Sequence, residues 1–139
     1  MITINIFQRI INCFGERLFS KMQKQKMYIK GAPDSAPFLE ILIADSFLTR
    51  FAGLMFRKKL PAATGLFLAP CNSVHMCFMR FAIDVVYLDK DYNIIKVVHD
   101  LKPWIGLSLC SKAWATLELT AGEAKCCGLI TGKRLEIMS

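Results

Sequence analysis

The sequence predicts a small, mainly β domain, with about seven short strands and two short helices arranged as a closed or half-closed antiparallel barrel. A β-sandwich is the alternative. Two observations lead there. Short apolar runs follow one another closely from Phe38 to Ile137, with no long amphipathic helix between them. Turn-forming clusters separate the runs, as at Asp89–Asn93 and Thr131–Lys133. A third observation sets the scale: 139 residues, 54% of them hydrophobic, supply one core.

Residues 1–30 read as a basic amphipathic arm and residues 31–37 (GAPDSAP) as a linker, leaving a domain at 38–139. Phe38–Ala44 is the first strand. Asp45 or Ser46 can cap a short helix over Phe47–Met55, because a side-chain oxygen there accepts an orphan N–H. Phe47, Phe51, Leu54 and Met55 form its apolar stripe, and Gly53 marks a close backbone approach. Leu60–Pro61 ends that region. Strands follow at Gly65–Ala69, Val74–Met79, Ala82–Leu88, Ile94–His99 and Ala113–Leu119. Glu123–Cys127 is a turn or two of helix stopped by Gly128, and Arg134–Ile137 closes the fold.

The net charge of +7 is unevenly placed. Arg9, Arg17, Lys21, Lys24, Lys26 and Lys30 stand against Glu16 alone in the arm, while the rest nearly balances. A nearly neutral body argues against nucleic acid as a partner. Within the arm, Phe7, Ile10, Ile11, Phe14 and Leu18 share one helical face, which could make peripheral membrane contact through residues 7–19; a helix docked on the body, or a poorly ordered leader, is the favoured alternative. No run reaches the roughly 18 apolar residues of a membrane span, and no secretory signal is evident. A cytoplasmic location, or one at the inner face of the membrane, is favoured over an envelope-exposed one. The six cysteines, with Cys126 and Cys127 adjacent and no C-x-x-C, read as thiols in a reducing compartment.

Alternation along Val74–Met79 sends Val74, Met76 and Phe78 one way and His75, Cys77 and Met79 the other, joined by Cys71 and Ser73 if the strand extends back. Imidazole, thiol and thioether on one surface suit a soft metal, with Cys110 and His99 as further ligands. The set is incomplete, and a packed core face is favoured. Asp84 interrupts an apolar strand, so it needs a partner; Arg80 and His75 are the expected ones. A His–Asp pair beside Cys71 or Cys77 could do acid–base and nucleophilic work, but no nucleophile elbow or oxyanion loop accompanies them. The favoured role for Asp84 is structural. Arg57, Lys58 and Lys59 read as a solvated run, Lys102-Pro-Trp104 as an exposed loop, and Trp114 and Leu117 as core.

Several stretches carry a likeness. They are Arg50-Phe-Ala-Gly-Leu-Met55 with Arg57 and Leu60–Pro61, then Pro70-Cys-Asn-Ser-Val-His-Met-Cys-Phe-Met-Arg-Phe-Ala-Ile-Asp-Val-Val-Tyr-Leu-Asp89. Leu117-Glu-Leu-Thr-Ala-Gly122 and Gly128 to Leu135 complete it. Together they resemble a bacterial and archaeal family, domain of unknown function 192, over about residues 40–137. The resemblance implies a compact barrel-like domain, an envelope- or pilus-related accessory role and no established enzymatic activity. It places weight on Gly53, Leu54, Met55, Arg57, His75, Phe78, Met79, Asp84 and Gly122, and makes Cys71 and Cys110 a contacting pair or disulfide. This chain departs from the pattern at Met76, Cys77 and Ala82. Tyr92 stands where glycine is usual, which predicts a different turn there; Cys126 and Cys127 have no counterpart.

The resulting expectation is a non-enzymatic binding or accessory domain with no cofactor. Its surface would be built from His75, Met79, Arg80, Asp84, Cys71 and Cys110, and its partner would be a small ligand or a protein. The alternative is a metal- or thiol-dependent activity centred on Cys71, His75, Cys77 and Cys110.

Overall fold

The computed structural model describes residues 17–36, 38–44 and 59–138, together with Arg9, Cys13 and Leu54. Most of the helix expected over Phe47–Met55, the positions Gly53, Arg57 and Lys58, and most of the apolar stripe from Phe7 to Phe14 lie outside the described residues. Nine strands are described: β1 (Gln23–Ile29), β2 (Leu39–Ala44), β3 (Thr64–Leu68), β4 (Ser73–His75), β5 (Ile83–Leu88), β6 (Ile94–Leu101), β7 (Leu107–Leu109), β8 (Ala115–Thr120) and β9 (Leu135–Ile137). One helical turn, α1 (Glu123–Cys126), precedes β9, and residues 17–21 are also helical.

Seven strands form one sheet in the order β6-β5-β8-β3-β2-β1-β9. Only β2 and β3 pair in parallel; the other neighbours are antiparallel. Alternate side chains divide between two cores. One contains Met27, Ile41, Phe67, Val86, Ile94, Leu117 and Leu135, so every strand of the sheet contributes to it. A surface fed by both edge strands must be the inside of a curl. Its edges meet where Asn93 bridges Arg134: Ile94 N donates to Lys133 O (2.8 Å) and Leu135 N to Tyr92 O (3.0 Å). The sheet is thus a curled half-barrel, pinned at one end.

The opposite face carries Leu42, Leu66, Leu68, Val85 and Tyr87. It is covered by Val74 of the separate β4–β7 ribbon and by Met76 just beyond it, with Leu54, Leu60 and Met79 beside them. With both faces covered, all six residues of β5 are buried, which accounts for its unbroken apolar run.

Three differences from expectation have physical causes. Strand β1 lies within the expected arm, paired with β2 and β9, and Gly31–Pro37 connects β1 to β2 rather than leading into the domain. Only Met27 of β1 is fully buried, so its polar residues hide the strand. The strand expected at Val74–Met79 stops at His75, because Phe78 takes φ 63° and Met79 N turns back onto Met76 O (3.1 Å). Tyr92 keeps the positive φ (61°) that glycine would supply. Its ring is held against Phe67 and Trp114, each 6.1 Å between centroids, and packing compensates for the backbone cost.

Candidate functional site

The β4–β7 ribbon pairs Ser73 with Leu109, Val74 with Ser108 and His75 with Leu107. Pleating points Val74 and Ser108 inward and leaves Ser73, His75, Leu107 and Leu109 exposed. Two turns at one end of the ribbon are locked to a single carbonyl. Met76 O accepts from Met79 N and from Trp104 N (2.8 Å), while the Met76 side chain is fully buried beneath them. Gly106 completes the lock. A Cβ there would stand 2.6 Å from Lys102 O and 2.7 Å from Met76 Cγ, so only glycine lets the two turns close.

This framework holds apolar side chains in water. Phe78 and Trp104 both have positive φ (63° and 69°), and their rings meet edge to face at 5.4 Å. Ile105 is 84% exposed, Leu107 75% and Leu109 60%. Two bulky aromatics in the left-handed region are a costly local choice that the surrounding hydrogen bonds impose. Single exposed apolar residues are ordinary; a stacked aromatic pair with three more exposed apolar side chains within residues 105–109 is a candidate contact surface.

The expected site residues separate. His75, Cys77 and Arg80 are exposed, Met79 is buried, and Cys71 and Cys110 are half-buried against the core below the ribbon. His75 and Met79 therefore do not share a surface, because the turn at Phe78 inverts the alternation. All six cysteines carry free thiols. Cys71 Sγ lies 3.3 Å from Ser73 O as a donor, and Cys110 N donates to Asn72 O (2.8 Å), so the pair tie the ribbon base without a disulfide. Among the described residues no group of three His, Cys, Asp or Glu side chains converges as metal ligands. The set Cys71, His75, Cys77 and Cys110 is split between the ribbon's two sides.

Asp84 lies elsewhere, fully buried. Its Oδ1 accepts from Asp100 N (3.0 Å), and its Oδ2 accepts from Gly122 N (2.9 Å) and Ala124 N (3.1 Å). Its side-chain neighbour is His99, with Nδ1 3.8 Å away, in place of the expected Arg80 or His75. Asp84 is a junction that ties β6 to the start of α1.

Two polar groups beneath the ribbon, the half-buried Glu118 and the buried Tyr87, escaped the sequence reading. Glu118 pairs in register with Val85, on the sheet face that carries Tyr87. Burial pushes its carboxyl up to about 7. The buried Tyr87 hydroxyl has no partner in hydrogen-bond geometry among the described residues. Burial raises its pKa, with the nearby Ser108 hydroxyl opposing and Cys71, Cys110 and Glu118 adding to the rise. The signal was available: Glu118 interrupts an apolar strand just as Asp84 does. An open cavity of about 550 Å³ lies apart from all this, between the β1–β2 connection and β9. Its Tyr28 hydroxyl is already committed to Glu136 Oε2 (2.9 Å).

A family model described as DUF192, Uncharacterized ACR, matches residues 29–137. The chain belongs to this family. DUF192 relatives include a UPF0127 protein of Pyrococcus furiosus, 42% identical over 71 residues that make up 48% of this chain and 59% of the relative. Another, from Pyrococcus horikoshii, is 41% identical over 70 residues, 47% of this chain and 58% of the relative. The chain spans just over half the length of these relatives. Two crystal structures share the fold. One, of a candidate transcription regulator from Sinorhizobium meliloti 1021, has TM-score 0.74 at 21% identity, covering 84% of this chain and 95% of that one. The other, of a protein of unknown function from Novosphingobium aromaticivorans, has TM-score 0.71 at 19% identity, covering 84% and 87%. The match begins at Ile29, the last residue of β1, and runs to the end of β9.

Proposed function

We propose that this DUF192 protein is a non-enzymatic binding module. Its contact face is the outward side of the β4–β7 ribbon and the adjoining turns, with His75 and Arg80 at its border. One observation carries the reading: five large apolar side chains stand exposed together on a backbone fixed by Met76 and Gly106. The interior cores are complete without them, so their exposure serves something outside the molecule. Of the expected surface, His75 and Arg80 remain candidates for direct contact. Cys71, Cys110 and Met79 lie beneath it as supports, while Asp84 holds β6 to the start of α1 away from this face. An accessory role beside an envelope or pilus assembly suits a module that offers one apolar face.

An anionic apolar dye, anilinonaphthalene sulfonate, tests the face before any partner is known. The native protein should enhance its fluorescence, and the pair Ile105→Ser and Leu107→Ser should remove most of the enhancement with an unchanged far-ultraviolet circular dichroism spectrum. Equal enhancement by both proteins would place the apolar surface elsewhere and overturn the reading.

A further inference from the structure

The apolar set is strongly exposed. Exposure is greatest at Ile105, in the turn beyond the ribbon end, and Phe78 and Trp104 stack beside it. A ridge of this kind, unlike a groove, does not enclose a peptide or a small molecule; it inserts. Its surroundings carry a consistent sign. The stretches 73–80 and 96–112 contain Arg80, Lys96, Lys102 and Lys112, and Asp100 as their one acid. Asp100 is paired with Lys102, and Lys96 Nζ donates to Leu109 O (2.9 Å), which places that cation beside the ridge.

We propose that the ridge of Phe78, Trp104, Ile105, Leu107 and Leu109 docks on the surface of an anionic lipid bilayer. The inference rests on the contact-face reading above and names its occupant. Three features favour a bilayer over a protein. Trp and Phe at a projecting tip match the headgroup layer, where an amphipathic ring finds both media. Leu and Ile beside them reach the acyl boundary, as on an interfacial helix. The flanking cations meet the negative potential of the leaflet, an attraction that screening weakens. The rigid turns hold the side chains outward before contact, so little order is lost on docking.

The test uses the full chain with sonicated vesicles, either neutral phosphatidylcholine or the same lipid with 30 mol% (roughly) phosphatidylglycerol, and follows co-sedimentation and tryptophan emission. The expected result is binding to the anionic vesicles, about fivefold weaker for each cation removed by Lys102→Ala or Lys112→Ala. Bromine-labelled acyl chains should quench the emission, and Trp104→Phe should abolish the quenching. Co-sedimentation without quenching at Trp104 would assign the contact to another surface, such as residues 7–19, and overturn the proposal. No vesicle binding, with dye binding still dependent on Ile105 and Leu107, would overturn the lipid occupant and leave the contact face standing. A two-chain mass by light scattering that Leu107→Glu reduces to one chain would make the occupant a second copy. Loss of both dye and vesicle binding would end both readings together.

Discussion

A carboxyl group on the ribbon-covered face of β8 ionises against its surroundings. Glu118 is raised to about 7 by burial alone, with no ion pair or hydrogen bond among the described residues to offset it. Its folded pKa exceeds its unfolded value, so between about 4.5 and 7 the native state keeps a proton the unfolded chain has lost. Stability therefore falls as pH rises through that window and levels off above it, by about 2–3 kcal/mol. Urea unfolding at pH 4.5 and 7.5 should show the loss in the native protein and not in Glu118→Gln, all other titrations being common to both; equal pH profiles would refute it. Gly106 makes a second demand at this scale. Gly106→Ala should destabilise by about 1–3 kcal/mol in the same assay, since the new methyl meets a backbone oxygen that cannot retreat freely. Asp84 and Glu118 were legible to different degrees. Both interrupt apolar strands, but Asp84's partners are backbone N–H groups contributed by Asp100 in β6 and by the turn at Gly122 leading into α1, which no side-chain inventory reveals.

At the scale of elements, sequence legibility follows burial. Strands β2, β3, β5 and β8 bury one or both faces and appear as apolar runs within a residue or two of their true limits. Strand β1 is mostly polar, and its pairing depends on Met27 together with contacts such as Lys24–Glu40 (3.4 Å). Strand β7 exposes two of its three residues and was missed for the opposite reason, since leucines facing water look like core. The β4 segment was read too long because alternation persists through Cys77 and breaks only where Phe78 turns left-handed. The junction between β6 and α1 has a direct consequence. Asp84→Ala strips three buried N–H groups of their acceptor and should cost about 3–5 kcal/mol, while Asp84→Asn, which keeps one carbonyl oxygen, should cost clearly less. Thermal unfolding of the two variants checks the order, and equal losses would show that the acceptor geometry is not what matters.

Across the whole molecule, the curl and the ribbon divide the work. The inner core draws on all seven strands of the main sheet, and pinning at Asn93–Arg134 keeps it closed. Amide exchange should therefore be slow at Ile94 and Leu135, whose N–H groups cross the seam; exchange as fast as in exposed turns would mean that the sheet opens there in solution. The barrel-like class and the family were readable because they depend on run lengths and a long motif. The gathering of His75, Met79, Arg80, Asp84 and the two cysteines into one surface was not, because one left-handed residue decides which side each group takes. Among the described residues, no helix is long and apolar enough to cross a membrane. The outer face of the sheet is closed by the ribbon, and the ribbon's own outer face exposes Leu107 and Leu109 beside His75 and Ser73. Hydroxyl-radical footprinting of the protein, in buffer and again in lysate of the cells that make it, addresses that surface most directly. The account predicts protection concentrated at Phe78, Trp104, Ile105 and Leu107; protection confined to the cavity beside Tyr28, or none at the ribbon, would contradict it.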